Sequence, residues 1–139
     1  MSADVHSEGT EWFAGLANGL STKPANYYIG LCTDAAPAVG ASVGDLTEIA
    51  DDTYARQTVA ADSSNVVSSA EGNGRKLTFA TVTFTNGDTE NWTAVNSAFL
   101  TDAADDSGKL LATLSIANAP RTIQPSEEEE VTFVVEFGT

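Results

Sequence analysis

The side chains best suited to chemistry in this chain are carboxylates. Asp102, Asp105 and Asp106, followed by Gly108, crowd one polar stretch, and oxygen ligands on a flexible loop are what a hard cation such as Ca²⁺ takes. Their spacing lacks the bidentate Glu that closes an EF-hand loop. The default reading is therefore an exposed acidic loop tip without a metal, these three aspartates being the metal candidates. Glu127 to Glu130 form a second acidic run; a basic partner or a cation would suit it, and a solvated turn before a strand is the simpler reading. His6 is the one histidine and stands in a polar N-terminal stretch, so no triad can be assembled around a fixed base. Cys32 lies in the apolar run YYIGLCT and reads as a small buried hydrophobe rather than a nucleophile; as the one cysteine it excludes an intrachain disulfide. Acids abundant enough for a glycosidase pair are present, but nothing singles out one as buried. The expectation is no catalytic residue, no cofactor and no enzymatic activity.

Aromatic side chains offer a different chemistry. Trp12, Trp92, Tyr27, Tyr28 and Tyr54 could present stacking faces to a sugar. Each sits in a helical or strand pattern that explains it as core, which leaves carbohydrate binding as the runner-up.

The elements that must position these residues follow from periodicity. The 139-residue length fits one domain. The acidic N-terminus does not resemble a cleaved leader, and no apolar run reaches the roughly 20 residues that cross a bilayer. Residues 1–9 are polar and aperiodic and are expected to form an arm. From Thr10 as N-cap a short helix is predicted, presenting Trp12, Phe13, Leu16 and Leu20 on one buried face and ending at Lys23-Pro24.

Period two then takes over. In Asn26 to Cys32, Tyr27, Ile29 and Leu31 share one face, and the other is apolar as well, so the strand should be central. Asp34 to Asp52 is small, acidic and punctuated by Gly and Pro, and predicts a long surface loop. A strand around Tyr54 to Val59 and a short edge strand near Asn65 to Ser68 come next. Leu77 to Thr85 changes the parity of its apolar set, which predicts a bulge or a break near Ala80-Thr81. Trp92 to Leu100, which includes Phe99, and Leu110 to Ile116, which includes Leu114, should form an antiparallel hairpin around residues 101–109. Ser126 to Glu130 reads as an acidic turn. Val131, Phe133, Val135 and Phe137 alternate as a last strand. The fold class expected is mainly β: an antiparallel, jelly-roll-like β-sandwich over residues 10–139 with one short N-terminal helix.

Charge limits the partners. Twenty acidic residues against six basic give a formal net charge of −14. Such a surface repels phosphate backbones, so direct nucleic-acid binding is not expected. The acid excess suits a saline environment, where ions screen carboxylates from one another.

The order of pieces resembles a family of small tailed-phage virion proteins of the head-decoration, head-fibre and tail-fibre type. Their helix ends in Gly-Leu-like residues, as in FAGLANGL here (Phe13 to Leu20). A tyrosine-led strand running to a proline follows, as in YYIGLCTDAAP (Tyr27 to Pro37), and then a loop closing on Tyr54-Ala55-Arg56. A Trp-led strand with an Asp-Ala hairpin corresponds to Glu90 to Leu114, and a Pro-(K/R)-x-(V/I) ending to Ala119 to Phe137. The resemblance implies a non-enzymatic virion subunit, in the first place a capsid decoration or head-fibre protein contacting the major capsid protein, in the second a tail or tail-fibre subunit with a receptor- or carbohydrate-binding role. Both faces of Tyr27 to Cys32 and of Leu77 to Phe84 are apolar, a surplus that predicts self-association. A trimer is expected first and a dimer second. No membrane contact is expected.

Overall fold

A computed structural model of the chain describes residues 3–138. Among these, β1 (Asp4–Val5) leads directly into α1 (Ser7–Asn18), so the expected arm is folded from residue 3 onward; residues 1 and 2 lie outside the described residues. The helix starts at Ser7, three residues before Thr10. Its N-cap, His6, makes no side-chain cap bond. The imidazole is instead buried, with Nε2 2.8 Å from Thr113 Oγ1. Burial lowers the His6 pKa, against the opposing pull of the Ala38 and Val39 carbonyls and of Asp4 and Glu8.

The buried face of α1 is Gly9, Trp12 and Gly15, which corrects the expected stripe. Leu16 is 37% and Leu20 86% exposed, while Phe13 is half-buried. Apolar periodicity counts side chains, whereas this helix seats its backbone on a strand. A Cβ on Gly9 would lie 2.1 Å from the Leu111 carbonyl oxygen, so only glycine permits the approach. The helix ends at Asn18 because Gly19 turns left-handed (φ 82), well before Lys23-Pro24.

The larger sheet is antiparallel throughout, in the order β1, β9 (Leu110–Ser115), β8 (Ser97–Thr101), β2 (Asn26–Cys32), β3 (Gln57–Ala60). Register aligns Ile29 with Leu100 and Ala112, and Leu31 with Ala98 and Leu114, so these share the core face. Cys32, Phe99 and Leu110 form a second buried cluster with Val43. The segment between β2 and β3 closes over it with Val43, Ala41 and Leu46, and Ser42 with Asp45 makes a capping box on the 3₁₀ turn Val43–Asp45. The expected surface loop is thus a cover, because a central strand that is apolar on both faces needs one. That intramolecular cover removes much of the surplus apolar surface from which self-association was expected.

The opposing sheet has the order β12 (Val134–Phe137), β5 (Gly74–Phe79), β4 (Val66–Glu71). After interruptions at Ala80-Thr81 and Thr132-Phe133 the same two chain directions pair again as β6 (Val82–Thr85) and β11 (Glu128–Val131). The parity change in Leu77 to Thr85 is this break. Tyr27 meets Phe79 edge-on across the layers at 5.3 Å, and the two sheets form an antiparallel sandwich around one core cluster that includes Trp92, Phe84, Phe133 and Val135.

Two expectations change at the C-terminal end. The stretch Trp92 to Leu100 divides into β7 (Trp92–Val95) and β8, since Ala94 takes a positive φ of 56 and Asn96 donates to the Thr33 carbonyl; β7 then leaves the large sheet to pair with β10 (Arg121–Ile123). The expected acidic turn is only its start, Pro125-Ser126, and Glu128 to Glu130 already belong to β11. Glu129 faces inward at 8% exposure with Arg121 Nη1 3.1 Å from its Oε2, while Glu128 and Glu130 alternate outward. Burial raises the Glu129 pKa, with Arg121 pulling the other way.

Candidate assembly surface

The most highly connected polar group is the one carried by Tyr54-Ala55-Arg56. Arg56 holds Glu48 through two bonds (Nη2 to Oε1 2.8 Å, Nε to Oε2 3.0 Å) and Asp106 through a third (Nη2 to Oδ1 2.7 Å), and donates to the Asp105 carbonyl at 2.9 Å. Its guanidinium carbon lies 5.1 Å above the Phe99 ring centroid. Tyr54 donates to Glu48 Oε2 at 2.7 Å and accepts from the Leu31 amide at 2.8 Å. The Arg56 guanidinium therefore ties the cover segment to the loop between β8 and β9, and the Tyr54 hydroxyl ties Glu48 to β2. Burial works to lower the pKa of Arg56 but its carboxylate partners outweigh it, and burial, with Glu48 adding to it, keeps the Tyr54 hydroxyl protonated far above its ordinary range. Arg56 and Glu48 were not among the expected site residues. The available signal was a buried-looking Arg in a chain with only six basic residues.

Of the three candidate metal ligands, two are used by their own loop and the third by Arg56. Asp102 Oδ1 accepts from the Lys109 amide at 2.8 Å, Asp105 Oδ1 accepts from the Ser107 amide at 2.9 Å and from its hydroxyl, and Asp106 pairs with Arg56. Bonding to Ser107 holds the Asp105 carboxyl below its ordinary pKa. Among the described residues no group of three His, Cys, Asp or Glu is placed to hold a metal ion. Cys32 is fully buried and its thiol is pushed up to about 12 by that burial, which makes it inert at neutral pH.

Of the aromatics proposed for stacking, Trp12, Trp92 and Tyr27 are buried, and Trp92 Nε1 donates to Asp88 at 2.9 Å. Tyr28 and Tyr54 are half-buried beside Glu48, Arg56 and Ala104 at a shallow depression. Ile29, Leu31, Phe99, Leu110 and Phe133 are wholly buried; Leu114 and Phe137 are half-buried at the margin of the core. Phe137 also borders an apolar groove with Val5, Phe13 and Leu77, between α1 and β12.

The sheet edges differ sharply. β1 has two residues, β3 and β12 four each, and the Val134 carbonyl on β12 already accepts from the Ala3 amide. β4 runs for six residues in unbroken register with β5 and carries Val67 at 48% exposure.

The model of one protein family matches residues 11–134: the podophage GP4 fiber I protein gp80 family. The chain belongs to this family, and it is accordingly a structural protein of the virion of a tailed phage. No curated protein matches the chain.

Proposed function

We propose that this member of the podophage fibre family is a non-enzymatic subunit whose work is to bury surface against copies of itself and against the particle, as a head-fibre or capsid-decoration protein. The observation that carries the reading is where the polar chemistry goes. Arg56, Glu48, Tyr54 and the loop aspartates spend their hydrogen bonds on fixing loops to the sandwich, which builds a stiff body rather than a site with free reactive groups. A trimer suits a fibre axis or the three-fold positions of an icosahedral shell; a dimer is the second arrangement. The major capsid protein or a tail protein would supply the other contact, through a surface basic enough to meet a body of charge −14. The same charge suits a saline host.

A tail-fibre subunit that binds a carbohydrate receptor is the second reading, supported by the half-buried Tyr28 and Tyr54 beside Glu48 and Arg56. Mass spectrometry and copy number on purified particles test the pair. Hundreds of copies per particle support decoration or head fibres, a handful supports a tail part, and absence from particles overturns both. Glycan-array binding that is lost in Tyr28→Ala would favour the receptor reading.

A further inference from the structure

We propose that the open edge of β4 is a self-association surface, at which two copies pair their β4 strands antiparallel about a two-fold axis at Ser69. This rests on the fibre-subunit reading and names the contact by which that subunit would meet a second copy.

The ladder shows which backbone groups are free. The Phe79 amide donates to the Phe133 carbonyl, so Arg75, Leu77 and Phe79 of β5 turn their backbone groups toward β12, and Gly74, Lys76 and Thr78 turn theirs toward β4. Their partners on β4 are Glu71, Ser69 and Val67, which are satisfied. Ser68 and Ala70 between them direct their N–H and C=O groups away from the sheet. Both residues are exposed. An antiparallel copy centred on Ser69 sets Ser68 opposite the second copy's Ala70 in both directions and satisfies all of these groups at once.

Natural edges are usually blunted by lysine, proline, a bulge or a covering element. The strand itself, VVSSAE, has neither lysine nor proline, and its register with β5 has no bulge. Its one charge, Glu71, is 3.2 Å from Lys76 of the same hairpin.

Electrostatics leaves this edge open to a second copy as the occupant. Two bodies of charge −14 repel over most of their surfaces. Residues 63–87 carry one acid, Glu71, against two bases, Arg75 and Lys76, a local balance of +1. The long open edge therefore lies in a stretch where the acid excess is absent, and like copies can approach there with little cost. The pairing joins two three-stranded sheets into a continuous one and covers Val67, which lies next to Glu71 of the second copy on the outer face. A two-fold contact at this edge puts a dimer ahead of a trimer as the first step of assembly.

The test uses the full chain carrying Ser69→Cys. In the proposed pairing the two Ser69 positions form a non-hydrogen-bonded antiparallel pair, with Cα atoms about 4.5 Å apart, inside the range a disulfide spans. Mild oxidation with oxidised glutathione should link most of the S69C protein into covalent dimers, whereas V39C, at a more exposed position on the cover segment, should stay largely monomeric; Cys32 is buried and does not compete. Sedimentation at rising protein concentration should show a dimer for the native chain, weakened at least tenfold by Val67→Lys and by Ala70→Pro. The proline removes an outward N–H that β5 does not use. Equal cross-linking of S69C and V39C, or self-association unchanged by both V67K and A70P, would overturn the proposal. The fibre-subunit reading fails on a different measurement, absence of the protein from purified particles.

Discussion

The two ends of the sandwich are built on opposite plans. Around β2, β8 and β9 the apolar faces are covered: α1 lies on Leu111, the segment 34–52 closes over Phe99 and Leu110, and Arg56 fastens the loops. At β4 and the tip of β5 the sheet runs out past its core with Val67, Ser68, Ala70 and Arg75 exposed. The covered end uses polar groups to satisfy other polar groups of the same chain; the open end leaves a strand edge unsatisfied. A body with so long an open edge is stiff where it needs shape and unfinished where it can meet a neighbour.

The largest effect expected from breaking this contrast is at the helix. Trp12 is 6% exposed and packs edge-on against Phe13 and Tyr27 at 5.2 and 5.9 Å. Trp12→Ala should cost about 3–5 kcal/mol in denaturant unfolding. Leu16→Ala and Leu20→Ala, on the exposed side, should each stay within about 0.5 kcal/mol. Equal losses at Trp12 and Leu16 would show that the helix packs on its leucine stripe after all.

The arginines sharpen the same comparison with a smaller expected effect. Arg56→Ala leaves Glu48 and the Tyr54 hydroxyl facing one another without their cation, which should cost about 2–4 kcal/mol, short of a wholly buried pair because the Glu48 side chain is 26% exposed. Arg75→Ala removes only bonds to Ser68 Oγ at 3.0 and 3.2 Å on an exposed hairpin and should change stability by less than about 0.5 kcal/mol. Thermal unfolding of the two variants side by side is the measurement. A milder loss for Arg56 than for Arg75 would mean that the loops hold without the knot.

Much of the open end was legible in the sequence, and much of the covered end was not. The parity change at Ala80-Thr81 and the polar Asn65 to Ser68 segment identified the break and the edge strand because alternation is a local property of a chain. The β8–β9 hairpin was legible for the same reason. The face of α1 was hidden because Gly9 and Gly15 carry no hydrophobic signal, although they set the closest approach in the helix. The acidic strand β11 read as a turn because the strand it pairs with, β6, lies far back in the chain, and it is that pairing that turns Glu129 inward beside Arg121. The role of Arg56 depends on joining Glu48, 8 positions away, to Asp106, 50 positions away, and the second of these lies outside any local window of sequence.

Acid should loosen the covered end first. His6 has a folded pKa below its ordinary value, so the fold favours the neutral ring, and that contribution is complete above the unfolded pKa of about 6.5 and lost as pH falls below it. Glu129 has the opposite sign: its raised pKa makes folding more favourable when it is protonated, so it cannot account for a loss on acidification. Melting temperature should therefore drop between pH 7.5 and 5.5, and His6→Gln should flatten that drop. A slope that persists in the variant would assign it to carboxylates instead.

Salt should give the smallest effect and should act on both ends at once. Many of the acids are exposed, and Asp45, Asp62, Asp88 and Asp105 are held ionised by hydrogen bonds, with pKa values below the ordinary carboxylate range. At neutral pH these four are charged, and the repulsion among them and the other acids is unscreened at 0.01 M, where the Debye length is about 30 Å. Raising NaCl to 1 M shortens it to about 3 Å, so melting temperature should rise by a few degrees. Self-association through β4 should strengthen over the same range, because two charged bodies gain more from screening than one. A chain whose stability rises with salt while its dimer weakens would show that the contact is held by ion pairs such as Lys76 with Glu71 of the second copy, rather than by the neutral strand edge.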